Sequence, residues 1–427
     1  MTSTILQLSD HPALEESYRI ALRNLILDKL CDGPIQFETL VREAEGAYPT
    51  DVRSVLMALS DKHEVMESNG CWFLSHELDP HKYVDPSTEM DSMSEFSNDL
   101  PEPHPLDFDW RFTESTLPLF RTLLQRANSA SDNGAILGAP SLYKYLIDQG
   151  ARVSLFDKNS NILEHLRRAG YSSVTEVDLM GESEFSRQFD WAVADPPWYN
   201  EYYGGFMRAA SRMIRPGGKL LISVLPRLTR PTAASDRFFI IELARTLGFD
   251  LVELHTRALG YKSPPFEIEA LREEGLQIGN WRKGDLFIFV LSSYKKHESI
   301  VKTQEGTANW LTIPLGTTSV RINSLPEDSS VRFCFRAAST AGTYRLRSVS
   351  RRSPTRIGIN VWTSRNIALI VSKPSILIDA LTAIGEGALP SQAIAHISTR
   401  RGLRDSEARE LRKVLKLLLQ DAGLSWE

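Results

Sequence analysis

Between about Asp107 and Lys296, short apolar runs alternate with amphipathic stretches, and this alternation restricts the fold more than any other feature of the chain. The runs are GAILG, RVSLFD, SVTEVD, WAVADPP, KLLISVLP, LVELHTRAL and DLFIFVLSS. Between them lie PSLYKYLIDQG, NSNILEHLRRAG, EYYGGFMRAASRMIRPGG and AASDRFFIIELARTLG, several closed by the glycine that helix C-termini favour. Parallel strands need a crossover of a dozen or more residues, and the helices that supply it cover both faces of the sheet. The pattern therefore predicts a doubly wound, Rossmann-like α/β domain over residues 107–297, with seven strands of which the last two form a hairpin.

The flanks read differently. Residues 1–80 predict a helix, two more helical segments, and a hairpin turning at Ser68-Asn69-Gly70, an arrangement that resembles a winged helix-turn-helix domain. Its last helix, YPTDVRSVLMAL, offers only Arg53 as a cation for DNA. Residues 81–106 are acidic and proline-bearing, a linker or a segment draped over a neighbour. Residues 298–373 carry short alternating runs (NWLTIPL, SVRINSL, SVRFCFRA, GTYRLRSV, RIGINVWT, NIALIVS) that predict a small β domain. Residues 374–427 predict a helical end, a second helix-turn-helix candidate.

A length of 427 residues exceeds what one core serves, in agreement with several domains. No apolar stretch approaches the ~20 residues a membrane helix requires, and the N-terminus lacks a secretory pattern, so a cytoplasmic protein without membrane partners is expected. Cys31, Cys71 and Cys334 show no metal-ligand or disulfide spacing and read as buried thiols, with no metal site. The net charge of −5 conceals a basic C-terminal region, where from Val331 onward cations outnumber acids about two to one. Such a surface suits nucleic acid or another acidic partner.

In a doubly wound sheet, ligands lie beyond the carboxyl ends of the strands, where strand order reverses. Chemistry-bearing residues do follow the strands here. The first run ends at Gly138, where backbone can approach a ligand closely, and continues through Ala139 and Pro140 into a helix starting near Ser141. The second ends at Asp157-Lys158, about 20 residues on, the place of an acidic group that binds ribose hydroxyls. The third ends near Asp178 and Leu179, suited to an adenine amine and its ring. The fourth ends at Asp195-Pro196-Pro197-Trp198. Transfer to a nitrogen needs acceptors that grip its N–H, which Asp195 and the carbonyl of Pro196 supply, while proline stiffens the turn and removes a competing donor. Trp198 offers a flat face for a planar base or a cationic amine.

DPPW at this position resembles the (D/N/S)PP(Y/F/W) motif of amino-group methyltransferases, and the strand order resembles that of class I S-adenosylmethionine-dependent methyltransferases. GAPSLYKYL, an acidic second strand and DPP together are similar to the N6-adenine-methylase-like proteins. A winged helix ahead of a DPP-bearing domain also resembles the branched-chain polyamine synthases, although GAPSLY lacks the acidic stretch with which those enzymes grip amines. The resemblance implies S-adenosyl-L-methionine as cofactor, bound at Gly138, Ala139, Pro140, Ser141, Asp157, Lys158, Asp178 and Leu179. It further implies that the segment before the first strand, DFDWRFTEST, touches the cofactor through Thr113 and Thr116. Asp195, Pro196, Pro197 and Trp198 form the expected catalytic group. A loop between the sixth and seventh strands is a lid candidate, and with Tyr199 it gives Tyr261, Phe266 and Trp281 as expected substrate contacts. The expected activity is methyl transfer to an amino nitrogen of a macromolecule, a nucleic acid base ahead of a protein side chain. A catalytically degenerate scaffold and an aminopropyltransferase are the alternatives, and nothing in the sequence specifies an oligomeric state.

Overall fold

The computed structural model describes residues 12–75, 100–127, 133–181, 183–293, 310–324, 327, 330–339 and 342–426. The chain divides into two compact units, whose described residues fall within Met1–Glu95, Arg111–Ser263 and Ile278–Thr303 for the first, and Phe96–Trp110, Pro264–Gln277 and Gln304–Glu427 for the second. Most of the acidic stretch read as a linker lies outside the described residues.

The first unit begins with α1 (Pro12–Cys31), β1 (Ile35–Gln36), α2 (Phe37–Glu43), α3 (Pro49–Asp61), β2 (Val65–Ser68) and β3 (Cys71–Leu74). Tyr18, Leu22, Ile26 and Leu30 recur every four residues along α1 and are buried, as are Val52, Leu56 and Leu59 of α3, so each helix turns one apolar face inward. The hairpin closes through Asn69 (φ 53°) and Gly70 (φ 77°), the two left-handed residues of a tight two-residue turn. β1 adds an edge to this hairpin, pairing Ile35 with Trp72. No sequence pattern announces it, because two residues carry no period.

This module is fastened to the sheet domain. The Arg227 guanidinium grips the Glu45 carboxylate with two hydrogen bonds of 2.9 and 2.8 Å, Leu228 N–H donates to the Glu45 carbonyl at 3.0 Å, and Arg257 pairs with Glu43. Gly46 (φ +85°) sits where a Cβ would come within 2.7 Å of Thr229 and 3.0 Å of Pro226, so only glycine permits this approach.

The sheet domain runs α4 (Leu117–Ala127), β4 (Asn133–Leu137), α5 (Pro140–Asp148), β5 (Arg152–Asp157), α6 (Ser160–Arg168), β6 (Val174–Glu176), β7 (Phe189–Ala194), α7 (Asn200–Met213), β8 (Ile214–Val224), α8 (Ala233–Thr246) and β9 (Phe249–Gly260). Helix α9 (Pro265–Glu273) belongs to the second unit, and β10 (Lys283–Leu291) returns to the first. The seven strands lie in the order β6-β5-β4-β7-β8-β10-β9. β6, β5, β4, β7 and β8 are parallel, and β10 runs antiparallel to β8 and β9. The fold is thus α/β with a mostly parallel, Rossmann-like seven-stranded sheet, whose strand order reverses between β4 and β7. One boundary moved: IRPGG, read as the end of a helix, begins β8, because Pro216 disrupts a helix interior and Gly217 takes φ +83°.

The second unit holds β11 (Trp310–Leu315), β12 (Thr318–Asn323), β13 (Phe335–Ala337), β14 (Val361–Thr363) and β15 (Ala368–Val371), followed by α10 (Pro374–Gly385), α11 (Pro390–Arg401) and α12 (Asp405–Asp421). The strands form an antiparallel sheet in the order β11-β12-β14-β15-β13, sharing one core with the helices through Val320, Leu369, Leu377, Leu411 and Leu415. GTYRLRSV, expected as a strand, contributes a single bridge between Arg345 and Ile367. Its Leu346 is buried in a small cluster with Trp362, while Arg345 turns aside to pair with Asp421 at 2.6 Å. Residues 100–110 lie along this unit, with Asp107 gripping Arg321 by two bonds of 2.5 Å and Glu102 accepting from Ser364 at 2.5 Å. The thiols depart from expectation: Cys31 and Cys334 are exposed and Cys71 is half-buried, the apolar neighbours in sequence having taken the inward positions.

His104 is buried in this unit. Its Nδ1 accepts from Leu106 N–H at 3.2 Å and its Nε2 faces the Trp362 carbonyl at 3.0 Å, which fixes a neutral tautomer with the proton on Nε2. Burial, and secondarily Arg321, push its pKa well below the usual histidine value. The unfolded chain takes up a proton near pH 6.5 that the folded state refuses, so stability falls as pH drops below that value, by at most about 1.4 kcal/mol per pH unit. Denaturant titrations from neutral to mildly acidic pH should show this slope reduced in His104→Gln; equal slopes would contradict the assignment.

Candidate active site

At the reversal of strand order, the loops after β4 and β7 start side by side. Asp195 N–H donates to the Leu137 carbonyl at 3.1 Å, carrying the sheet ladder one residue beyond β7. Gly138 follows with φ +69°, and a Cβ there would stand 2.9 Å from the Phe206 ring and 3.4 Å from the Asp195 carbonyl. The position admits no side chain without displacement, so bare backbone faces the crevice. Helix α5 then begins with Pro140 in its first turn, where a missing N–H costs nothing.

The Asp195 carboxylate is held by two hydroxyls. Tyr261 Oη donates to Oδ1 at 2.8 Å, and Ser223 Oγ donates to the same oxygen. Trp198 Nε1–H points to Ser223 Oγ at 3.4 Å, and the Trp198 and Tyr261 rings meet edge to face with centroids 5.7 Å apart. Burial first, and then the Asp195 charge, raise the Tyr261 pKa well above 10, so the phenol remains a donor. Gly284 of β10 completes the packing: a Cβ there would lie 3.0 Å from Trp198 and 3.1 Å from Tyr261. The far side of the Trp198 ring system is lined by Arg282, whose guanidinium lies 5.5 Å from the Trp198 ring and 5.1 Å from Trp281. Trp281 in turn meets Tyr48 of the N-terminal module edge-on at 5.5 Å.

The loops after β5 and β6 open on the same edge of the sheet. Asp157 Oδ1 accepts the Asn159 N–H at 2.8 Å, and Asn159 caps α6 by accepting from Ile162 N–H. Asp178, on the surface, accepts the Met180 N–H at 3.0 Å, beside the buried Leu179. Gly205 of α7 lets this loop pack closely, since a Cβ would stand 2.5 Å from Met180 sulfur and 2.8 Å from the Leu179 carbonyl. The exposed Lys158 lies 5.9 Å from the Tyr202 ring, and Arg230 lies 5.5 Å from the Tyr199 ring while pairing with Asp236 at 2.8 Å. Asp236 also accepts from Asn200, which pins the start of α7 directly after the DPPWY segment.

Other expected residues are placed differently. The Thr116 hydroxyl bonds both the N–H and the carbonyl of Gly260, at 2.9 and 3.2 Å, and Thr113 N–H donates to the same carbonyl, so this pair clamps its segment to the end of β9. Tyr261 and Trp281 are 2% and 3% exposed and serve as packing around Asp195 and Trp198, with no open face to offer a substrate. Phe266 belongs to the second unit, where its ring lies edge-on to Trp110 at 6.4 Å in the buried helix α9. The stretch read as a lid is thus an ordered connection, its aromatic residues buried, divided between the units. Ser223 and Phe206 were missed. Ser223 left a signal, a hydroxyl within the otherwise apolar LLISVLP; Phe206 left none.

No protein-family model matches the sequence, and no curated protein matches it. Solved structures do. The branched-chain polyamine synthase C9 mutein from Thermus thermophilus, in complex with N4-aminopropylspermidine and 5'-methylthioadenosine, matches with a TM-score of 0.50 at 14% identity, over 66% of this chain and 88% of that chain. The branched-chain polyamine synthase from Thermus thermophilus in the same complex gives 0.48 at 14%, over 66% and 89%. A SAM-dependent methyltransferase from Methanosarcina mazei gives 0.29 at 13%, over 39% and 96%. The first of these likenesses establishes a shared fold; at such identity it extends no further.

Two hydroxyl donors stabilise the ionised form of a carboxylate. Tyr261→Phe and Ser223→Ala should each raise the pH at which Asp195 titrates, the double variant most, as read from the carboxyl carbon by NMR. A midpoint unmoved in all three variants would show that these bonds do not govern the group.

Proposed function

We propose that the chain is an enzyme that transfers a methyl group from S-adenosyl-L-methionine to an amino nitrogen of a nucleic acid base. The observation that carries this reading is the meeting of a glycine without room for a side chain and a hydroxyl-clamped Asp-Pro-Pro-Trp segment at the reversal of strand order. The residues at the sheet edge fit the cofactor: backbone at Gly138 and Ala139 and the start of α5 at Pro140 and Ser141 for its amino-acid end, Asp157 and Lys158 for the ribose side, and Asp178 with Leu179 for the adenine. When bound, the cofactor supplies an electrophilic methyl group on a sulfonium.

The chain's own contribution is orientation. Asp195 and the Pro196 carbonyl accept hydrogen bonds from the acceptor amine, which aims its lone pair and draws off positive charge as the new bond forms. The clamp from Tyr261 and Ser223 fixes the carboxylate rotamer before substrate arrives. Trp198 and Tyr199 offer rings against which a planar base can lie. Lys158 and Arg282, each over an aromatic ring, place two cations near the motif, which favours a phosphate-bearing acceptor over a polycation, while Arg230 is neutralised by Asp236. In this reading the N-terminal module is a winged helix used for packing, since it is fastened to the sheet domain and its α3 exposes Met57 in place of cations.

Aminopropyl transfer to a polyamine is the second reading. It is favoured by the extent of the fold likeness, which covers 88% of a polyamine synthase whose structure holds an aminopropylated polyamine and 5'-methylthioadenosine. It is opposed by Lys158 and Arg282 and by Ala139-Pro140-Ser141 where acidic side chains would grip amines.

Calorimetry should detect binding of S-adenosylmethionine that is weakened at least about tenfold, roughly 1.4 kcal/mol, in Asp157→Ala. Labelled cofactor should then carry its methyl group to nucleic acid, with Asp195→Asn losing on the order of 100-fold or more in rate and little in cofactor affinity. Label entering polyamines from the decarboxylated cofactor would select the second reading, and no heat of binding from the native chain would leave a scaffold.

A further inference from the structure

Helix α12 separates its charges. Leu411, Val414, Leu415, Leu418 and Leu419 face the core of the second unit. The acids of the helix are mostly engaged with the protein: Glu407 is buried and accepts the N–H groups of Phe333 at 2.8 Å and Arg404 at 3.1 Å, and Asp421 pairs with Arg345 and accepts from Thr363. Glu410 pairs with Lys413 at 2.7 Å. On the outward face remain Arg409, Arg412 and Lys416, all exposed, with Asp405 at the first turn the remaining acid. Their spacing of three and four residues aligns them along one stripe, over about 10 Å of helix.

The helix is presented by a tight turn. α11 ends at Gly402 (φ 64°), Leu403 N–H closes back on the Ser398 carbonyl at 2.9 Å, and the Leu403 side chain packs against the core before α12 starts. Arg400 and Arg401, at the end of α11, both reach Asp379 of α10, at 3.9 and 2.6 Å. A solvated helix usually alternates its signs, whereas here two of the four acids, Glu407 and Asp421, turn inward, which leaves the outward face with more cations than acids. The corresponding helix of the N-terminal module, α3, has no such stripe.

We propose that the outward face of α12, through Arg409, Arg412 and Lys416, is the surface by which this chain holds duplex DNA. The inference rests on the reading of the acceptor as nucleic acid and narrows it to the duplex form. A single convex helix with a basic stripe fits the ~12 Å major groove of B-form DNA, while the deep, narrow major groove of A-form RNA excludes it. Contacts to phosphates by all three side chains make the affinity depend on salt, each releasing counterions.

The test uses the full chain and a short fluorescein-labelled DNA duplex, with the matching RNA duplex in parallel, followed by anisotropy across a salt series. Arg409→Ala, Arg412→Ala and Lys416→Ala combined should weaken DNA binding and flatten the slope of log affinity against log salt by about 2 to 3. All three side chains are exposed, so circular dichroism and melting should match the native chain, and Arg53→Ala on α3 should leave binding unchanged. An unaltered slope and affinity in the triple variant, or tighter binding of the RNA duplex, overturns the proposal. Cofactor calorimetry on the same samples separates the two inferences. A chain that binds DNA through α12 without binding cofactor sinks the methyl-transfer reading alone, and one that binds cofactor but holds DNA independently of these cations sinks this one alone.

Discussion

One carboxylate organises the sheet domain's business end. Asp195 stands directly after β7, beside the end of β4, its backbone tied to Leu137 and its side chain held by hydroxyls from Ser223 of β8 and Tyr261 beyond β9. Three strands therefore have to be in register before this group has a fixed direction. A carboxylate at a loop end would otherwise sample several rotamers, and pre-ordering it removes that entropy from the moment of binding. Buried Tyr261 remains protonated partly because Asp195 is charged, so each group sustains the state that the other needs.

The N-terminal module contributes to the same arrangement from the other side. Glu45 and Glu43 anchor it through Arg227 and Arg257, and Tyr48 packs on Trp281, whose neighbour Arg282 lies over Trp198. Arg42 donates to the Asn280 carbonyl at 3.4 Å, and Asn280 Oδ1 accepts from Ser263 N–H, which stiffens the strap that carries Trp281 and Arg282. Removing the module would loosen one wall of the Trp198 surroundings. The cationic helix face lies at the other end of the chain.

The sheet was legible because its signal is periodic. Apolar runs ending in Gly138, Asp157 and Asp195 each mark a strand whose ladder reaches to that residue, and the strands came out where the runs stood. IRPGG was misassigned because its apolar neighbours continue a helical period and only Pro216 and Gly217 oppose it. Residues that act through tertiary contact were harder. Thr116 lay near the expected position in sequence, yet its hydroxyl closes on Gly260, a partner 144 residues away that no local pattern announces. Phe266 and Trp281 read as an aromatic lid because aromatic density in a loop signals recognition as readily as packing, and burial alone distinguishes the two. The apolar face of α12 was present in its helical spacing, but which cations it left outward depended on a core shared with β strands some 40 to 90 residues earlier.

The most direct test of the central claim is a crystal structure with S-adenosylmethionine and its location in the difference density. The expected result is the sulfonium over the neighbouring ends of β4 and β7 at Leu137 and Asp195, the ribose on the side of Asp157, and Asp195 still bonded to Tyr261 and Ser223. Density at another edge of the sheet, or a saturated crystal with none, would contradict it.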